Sequence, residues 1–320
     1  MRVLVTGGAG FIGSNYVRMA LSGTLPGIDH LTVLDALTYS GNRANLKDHA
    51  DAEGLNFIQG DIRDSDLLDR VLPGHDAIIN FAAESHVDRS IDSRSEFVST
   101  NIVGTQVLLD SSMKAKVPVF VQISTDEVYG SLSQGSAHEE SPLQPNSPYA
   151  ASKAAADLLV RSYVQTFGLD ARITRSSNNY GPYQYPEKLI PRFITNLIKG
   201  IPVPVYGDGS NIRDWLHVDD NCRGIHKVLL QGQAGEIYNI GGGNEISNLA
   251  LTHRLLEVLG KGKESITYVA DRLGHDLRYS LDATKIQREL GSLPEVDFPL
   301  GLEETVYWYA RNDSWWTPLL

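Results

Sequence analysis

At 320 residues, 42% of them hydrophobic and 21% charged, the chain has an ordinary globular composition and length enough for a large core in one or two domains. Its formal charge of −11 excludes nucleic-acid or anionic-membrane binding driven by bulk charge, so an anionic ligand must be met by locally placed arginines, lysines and backbone N–H groups. The single cysteine, Cys222, excludes an intrachain disulfide and a thiolate metal cluster.

The first apolar run, Arg2–Thr6, reads as a strand that stops at Gly7-Gly8, too short for the core of a signal peptide. No apolar stretch reaches the roughly 18 residues of a membrane span, so the cytoplasm is the expected location. An amphipathic helix follows at Phe11–Ser22, then a strand at His30–Leu34, another at Leu55–Gln59, a helix at Ser65–Val71 and a strand at Ala77–Asn80. A long helix is expected over Glu96–Lys114, a strand over Val119–Ser124, a helix over Pro148–Thr166 and a strand over Ala171–Arg175. Strands alternating with helices predict an α/β fold around a parallel sheet covered on both faces. Beyond about Asn178 helices shorten, and glycine and proline cluster at Gly200–Gly209 and Gly241–Gly243. We therefore divide the chain into a dinucleotide-binding domain over residues 1–178, which includes the catalytic candidates, and a mainly substrate-binding lobe over 179–320. The chain is expected to cross between the lobes.

Gly7, Gly10 and Gly13 follow the first strand and open the first helix, and Gly8-Ala9-Gly10-Phe11-Ile12-Gly13 also satisfies G-x-G-x-x-G. Strand, glycines and helix in that order form the fingerprint of a Rossmann-type, doubly wound sheet whose helix N-terminus receives a pyrophosphate. Asp35, about 20 residues on at the end of the second strand, suits the ribose hydroxyls and would repel a 2′-phosphate, so NAD is expected over NADP. Asp61, after the third strand, suits the adenine edge.

Tyr149-x-x-x-Lys153 places a phenol and an ammonium on one helix face just after Pro148. The ammonium is expected to pull the phenol down from about 10 towards working pH, making it a base for alcohol oxidation. Thr125-Asp126-Glu127 closes the fifth strand; its two carboxyls read either as an acid–base pair or as a helix cap and turn cluster. The nine histidines include no H-E-x-x-H or similar spacing, so no metal is expected. Trp315-Trp316 reads as a packing anchor.

The glycine motif, Asp61-x-x-Asp64, Tyr149-x-x-x-Lys153 and Asn179-Tyr180-Gly181-Pro182 together resemble the extended short-chain dehydrogenase/reductases. Ala82–Asp88, Ser124–Gly130, Ser176–Pro182, Pro186–Pro191, Arg213-Asp214-Trp215 and Asp271–Asp276 narrow the resemblance to the dTDP-glucose 4,6-dehydratases over nearly the whole chain. That resemblance implies a nucleotide-sugar substrate, dTDP-glucose, and a transiently reduced NAD. Tyr149 and Lys153 would oxidise C4, Thr125 would hold the C4 oxygen, Glu127 would remove the C5 proton, and Asp126, kept protonated, would serve the departing C6 hydroxyl. It also implies cofactor contacts from Gly7, Gly10, Phe11, Ile12, Gly13, Asp35, Leu37, Thr38, Asp61, Ile62, Phe81, Ala82, Ala83, Ser85, Thr100 and Asn179. Substrate contacts would come from Ser85, Thr125, Asn178, Lys188, Leu189, Pro204, Tyr206, Arg213, Asn248, Arg272 and His275. Arg213, Arg272 and Lys188 are the diphosphate candidates, with surface ion pairing as their alternative. A homodimer packing the Tyr149 helix is implied as well. Two competing readings stay open: a nucleotide-sugar 4-epimerase, which has no use for Asp126-Glu127, and a non-enzymatic NAD-binding sensor, whose signature would be loss of the tyrosine or lysine.

Overall fold

The structure is a computed structural model that describes residues 1–271 and 274–320. Its strands are β1 (Arg2–Thr6), β2 (His30–Asp35), β3 (Leu55–Gln59), β4 (Ala77–Asn80), β5 (Val119–Thr125), β6 (Ala171–Ser176), β7 (Asn178–Tyr180), β8 (Val203–Tyr206), β9 (Ile212–His217), β10 (Ile237–Ile240), β11 (Glu245–Ser247) and β12 (Ile266–Val269). Seven of them form one sheet in the order β10-β6-β5-β4-β1-β2-β3, with every neighbouring pair parallel. Strands β1 to β6 lie within a residue of their expected bounds, because runs such as Val3-Leu4-Val5 must be covered on both sides.

The alternation of side chains sends those runs to two cores. Val3, Val5, Val33, Ile79 and Val121 pack with Tyr16, Val17 and Ile225 on one face. Leu4, Leu34, Ile78, Phe120 and Ile173 pack with Leu108, Leu109 and Val160 on the other. The strand order reverses between β1 and β4, and the crevice at their C-terminal ends is where a doubly wound sheet binds ligands.

The expected helix Glu96–Lys114 is not continuous. Arg94–Phe97 is α-helical, Val98–Gly104 is wound as a π-helix, and Thr105–Ala115 is α-helical again. Asn101 accounts for the interruption. Its side chain receives Glu84 N–H at 2.8 Å and donates to Glu84 O at 3.0 Å and Ser152 Oγ at 2.8 Å. A wider turn brings that side chain under the helix, as such bulges do at functional sites.

After β7 the chain builds a second core from the helices Leu189–Ile198, Asn248–Val258 and Phe298–Arg311, with β7, β9 and β11 in one small sheet and β8 and β12 in another. It also returns to the first layer. Helix Val218–Gln231 packs on β5 and β6, and β10 pairs with β6 as an edge of the seven-stranded sheet. Among the described residues, no helix is long and apolar enough to cross a membrane, and no group of three or more His, Cys, Asp or Glu is placed to hold a metal ion.

Candidate active site

A cavity of about 640 Å³ runs along the C-terminal ends of β1, β2, β4 and β5. At one end the glycine turn leaves β1 with Gly7 at φ 65°. A Cβ on Gly7 would lie 2.6 Å from Ala82 N, and one on Gly13 only 2.4 Å from Gly7 O, so both positions are closed to a side chain. Helix Phe11–Leu21 begins without a side-chain cap, which leaves its first N–H groups for an anion. Asp35 is buried, and burial raises its carboxyl from the usual range. Its oxygens accept Ala9 N–H and Leu37 N–H, each at 2.8 Å, so it braces the glycine turn as well as facing the cleft. Asp61 is engaged by the Arg63 guanidinium, with Nε donating at 2.9 Å. Every expected cofactor residue lines this cavity except Leu37, whose backbone stands at φ 53° just outside it.

At the other end, helix Pro148–Phe167 starts cleanly: Ser147 Oγ accepts Ala150 N–H at 3.1 Å and Pro148 occupies the first turn. Tyr149, Lys153 and Asp157 follow one buried face at i, i+4 and i+8. Lys153 Nζ donates to Ile123 O at 2.6 Å. Burial lowers this ammonium to about 8, opposed by the Asp157 carboxylate. Asp157 itself is fully buried and accepts from Arg175 Nε at 2.9 Å. The expected depression of the phenol is corrected here. Burial first, and the Glu127 carboxylate second, hold Tyr149 well above its ordinary value, with a Thr125 hydrogen bond acting the other way.

Thr125-Asp126-Glu127 shows the cap of one reading, and all three residues also line the cavity. Thr125 caps a single turn, Asp126–Tyr129, by accepting Glu127 N–H at 3.3 Å, so the cluster is a cap. Yet Asp126 is only 3% exposed, and its Oδ2 has no hydrogen-bond partner. Burial, then Glu127, then Asp214 raise its carboxyl well above the usual carboxylate range, which favours the protonated form. Glu127 lines both this cavity and a second one.

The second cavity, about 170 Å³, lies between the sheet and the C-terminal lobe. Asn178, Lys188, Leu189, Pro204, Tyr206, Arg213, Asn248 and His275 all line it, while Ser85 and Thr125 line the first. Asn178 and Lys188 border both, and Lys188 Nζ donates to Ser85 O at 2.7 Å. Arg213 is nearly buried and donates to Ile212 O at 2.7 Å and Asp276 O at 2.9 Å, its guanidinium 4.3 Å above the Tyr279 ring. Arg272 lies outside the described residues. Sequence reasoning missed Arg192, Trp215 and Tyr279, which also line this cavity. Arg192 had a usable signal, one turn after Lys188 on the same helix face; Tyr279 had none. Trp315, read as a packing residue, lines the cofactor cavity, whereas Trp316 is buried as expected, its Nε1–H donating to Tyr309 O at 2.8 Å.

The GDP-mannose 4,6 dehydratase family matches residues 4–305 of the chain. A dTDP-glucose 4,6-dehydratase of Streptomyces niveus is 59% identical over 321 residues, covering 100% of this chain and 96% of the relative. The chain belongs to the dTDP-glucose 4,6-dehydratase family. The crystal structure of a family member from Streptomyces venezuelae, a dTDP-glucose 4,6-dehydratase solved with NAD bound, is 60% identical and superposes with a TM-score of 0.99 over 100% of both chains. A UDP-glucose 4-epimerase of Thermotoga maritima also superposes, with a TM-score of 0.90 at 31% identity over 97% of this chain and 99% of that one. The fold is thus shared with epimerases, and what marks the dehydratase family is its much closer identity.

Proposed function

We propose that this chain is an NAD-dependent dTDP-glucose 4,6-dehydratase, a lyase that converts dTDP-glucose to dTDP-4-keto-6-deoxyglucose for deoxysugar biosynthesis. The observation that carries the reading is the buried Asp126 beside Glu127, both lining the same cavity as Tyr149 and Lys153. An oxidation alone needs a base; an elimination needs a second base and an acid, and this site has both. The cleft fits the cofactor: its glycine turn is closed to side chains, its helix N-terminus is uncapped, and Asp35 disfavours a 2′-phosphate.

NAD, when bound, would accept the hydride from C4 and return the same hydride to C6, so that the cycle regenerates it and needs no outside oxidant. Tyr149, as the phenolate that the positive charge of bound NAD would favour against burial, takes the C4 hydroxyl proton, with Thr125 hydrogen-bonding the C4 oxygen. Glu127 removes the C5 proton, made acidic by the 4-keto group. Asp126 gives its proton to the leaving C6 hydroxyl, and a proton returns to C5. Lys188, Arg213 and Arg192 offer cationic donors in the second cavity for the nucleotide diphosphate. Incubation with dTDP-glucose and with UDP-glucose, read by alkaline absorbance of a 4-keto sugar, tests the reading. A galactose nucleotide and no 4-keto-6-deoxy product would establish the epimerase instead, and NAD binding without turnover would establish the sensor.

The functional unit proposed is a homodimer in the cytoplasm. Val98, Val103 and Leu158 stand exposed on the helices Val98–Ala115 and Pro148–Phe167, an apolar face suited to a second copy. Leu158→Glu should shift the mass in solution from dimer to monomer, as light scattering would read.

A further inference from the structure

The two tryptophans near the C-terminus do different things, and one of them reaches the cofactor cleft. Trp315 lines the large cavity, and its Nε1–H donates at 2.9 Å to Asn45 Oδ1. Asn45 is buried and in turn donates through Nδ2, at 2.9 Å, to Ala9 O in the glycine turn. Ala9 N–H is the group held by Asp35. A polar relay therefore runs from the end of the chain to the turn that receives the pyrophosphate. A second connection supports it. Tyr183, also on the cavity wall, packs against Trp315 at 5.4 Å and Trp308 at 4.4 Å between ring centroids. Its other side carries the Arg18 guanidinium, 4.1 Å from the ring centroid, from the very helix that opens at the glycine turn. Tyr183 stands at φ 66°, a costly backbone for a residue with a side chain, so the surrounding contacts must hold it there.

We propose that Trp315 is a clasp on the cofactor cleft: with Tyr183 and Asn45 it ties the C-terminal segment to the glycine turn and sets the rate at which the dinucleotide leaves. The proposal rests on the NAD reading of this cleft. Its logic is that a cofactor regenerated in every cycle need never be released, so a residue that slows release costs no turnover.

The test measures how fast bound NAD exchanges with isotopically labelled NAD, beginning from wild-type enzyme as purified. Recovery of no dinucleotide from wild type would overturn the NAD reading itself. With NAD present, Trp315→Ala should speed exchange by about tenfold or more, and Trp315→Phe, which keeps the ring and loses the donor, by about threefold. Trp316→Phe, which removes a similar donor bonded inside the lobe, should lower melting temperature without changing exchange. Wild-type exchange rates in Trp315→Phe and Trp315→Ala, or the same acceleration in Trp316→Phe, would overturn the clasp.

Discussion

Asp126 and Glu127 are neighbours in the chain that differ in burial, Asp126 buried and Glu127 half-buried, and the proposed division of tasks follows that difference. Burial, two neighbouring carboxylates and an oxygen without a partner all push the Asp126 carboxyl towards keeping its proton. Glu127 borders both cavities, where a base would meet substrate. Glu127→Gln should still oxidise C4 and then stall, leaving reduced cofactor and a 4-ketoglucose nucleotide, with C5 exchange lost in heavy water. Asp126→Asn should allow C5 exchange and slow loss of the C6 hydroxyl, by roughly 10²-fold or more. Single-turnover quenching with mass analysis separates the two, and dehydration at wild-type rate in Glu127→Gln would place the base elsewhere. Asp126 also has a stability signature. Its folded pKa is raised, so the folded state binds more protons than the unfolded chain between the two values, and stability falls as pH rises through that window. Asp126→Asn escapes this loss. Its melting temperature should exceed wild type near pH 7, by about 1–2 °C for each kcal/mol relieved, and match it near pH 3. Lys153 gives a second pH test. Asp157→Asn removes the charge that opposes desolvation, so Lys153 should lose its proton at lower pH and the alkaline limb of the oxidation rate should move the same way. An unchanged limb would show that Asp157 only supports the fold.

At the scale of elements, the glycine turn and helix Pro148–Phe167 do most of the positioning, and both were legible because local sequence chemistry decides them. Glycines between a strand and a helix, or a proline in a helix's first turn, need no tertiary partner to be recognised. Gly13→Ala should therefore be severe. The added carbon meets backbone at 2.4 Å, so melting temperature and NAD content should fall together, by on the order of 1–3 kcal/mol in stability. A variant with full NAD content and unchanged melting would contradict the close packing. The elements misjudged were those set by distant contacts. The π-helical stretch depends on Asn101 reaching Glu84 and Ser152, which periodicity cannot show. The Tyr149 phenol was expected low from its lysine alone, because its burial and the Glu127 carboxylate from another turn are invisible in a helix repeat. Trp315 likewise reads as packing until Asn45 appears beside it.

On the scale of the molecule, the two cavities meet where Glu127, Asn178 and Lys188 border both, so they share one wall between the sheet and the lobe. Purified protein should carry NAD and little NADP, since a 2′-phosphate would meet the Asp35 carboxylate; mass identification of the extracted dinucleotide decides this, and mainly NADP would remove Asp35 from specificity. The return of the chain to the large sheet has a further consequence, for how such enzymes can be recombined. Because β10 completes an edge of the sheet on which β6 would otherwise end, residues 1–178 alone lack both an outer strand and the helix Val218–Gln231 that covers β5 and β6. A crossover that exchanges the substrate lobe with a relative's after residue 178 therefore grafts a foreign sheet edge along with the new specificity. Hybrids that keep Val218–Ile240 with the parental first half should be recovered folded, and those cut once at 178 should be depleted, so viable recombinants would inherit the lobe in two pieces.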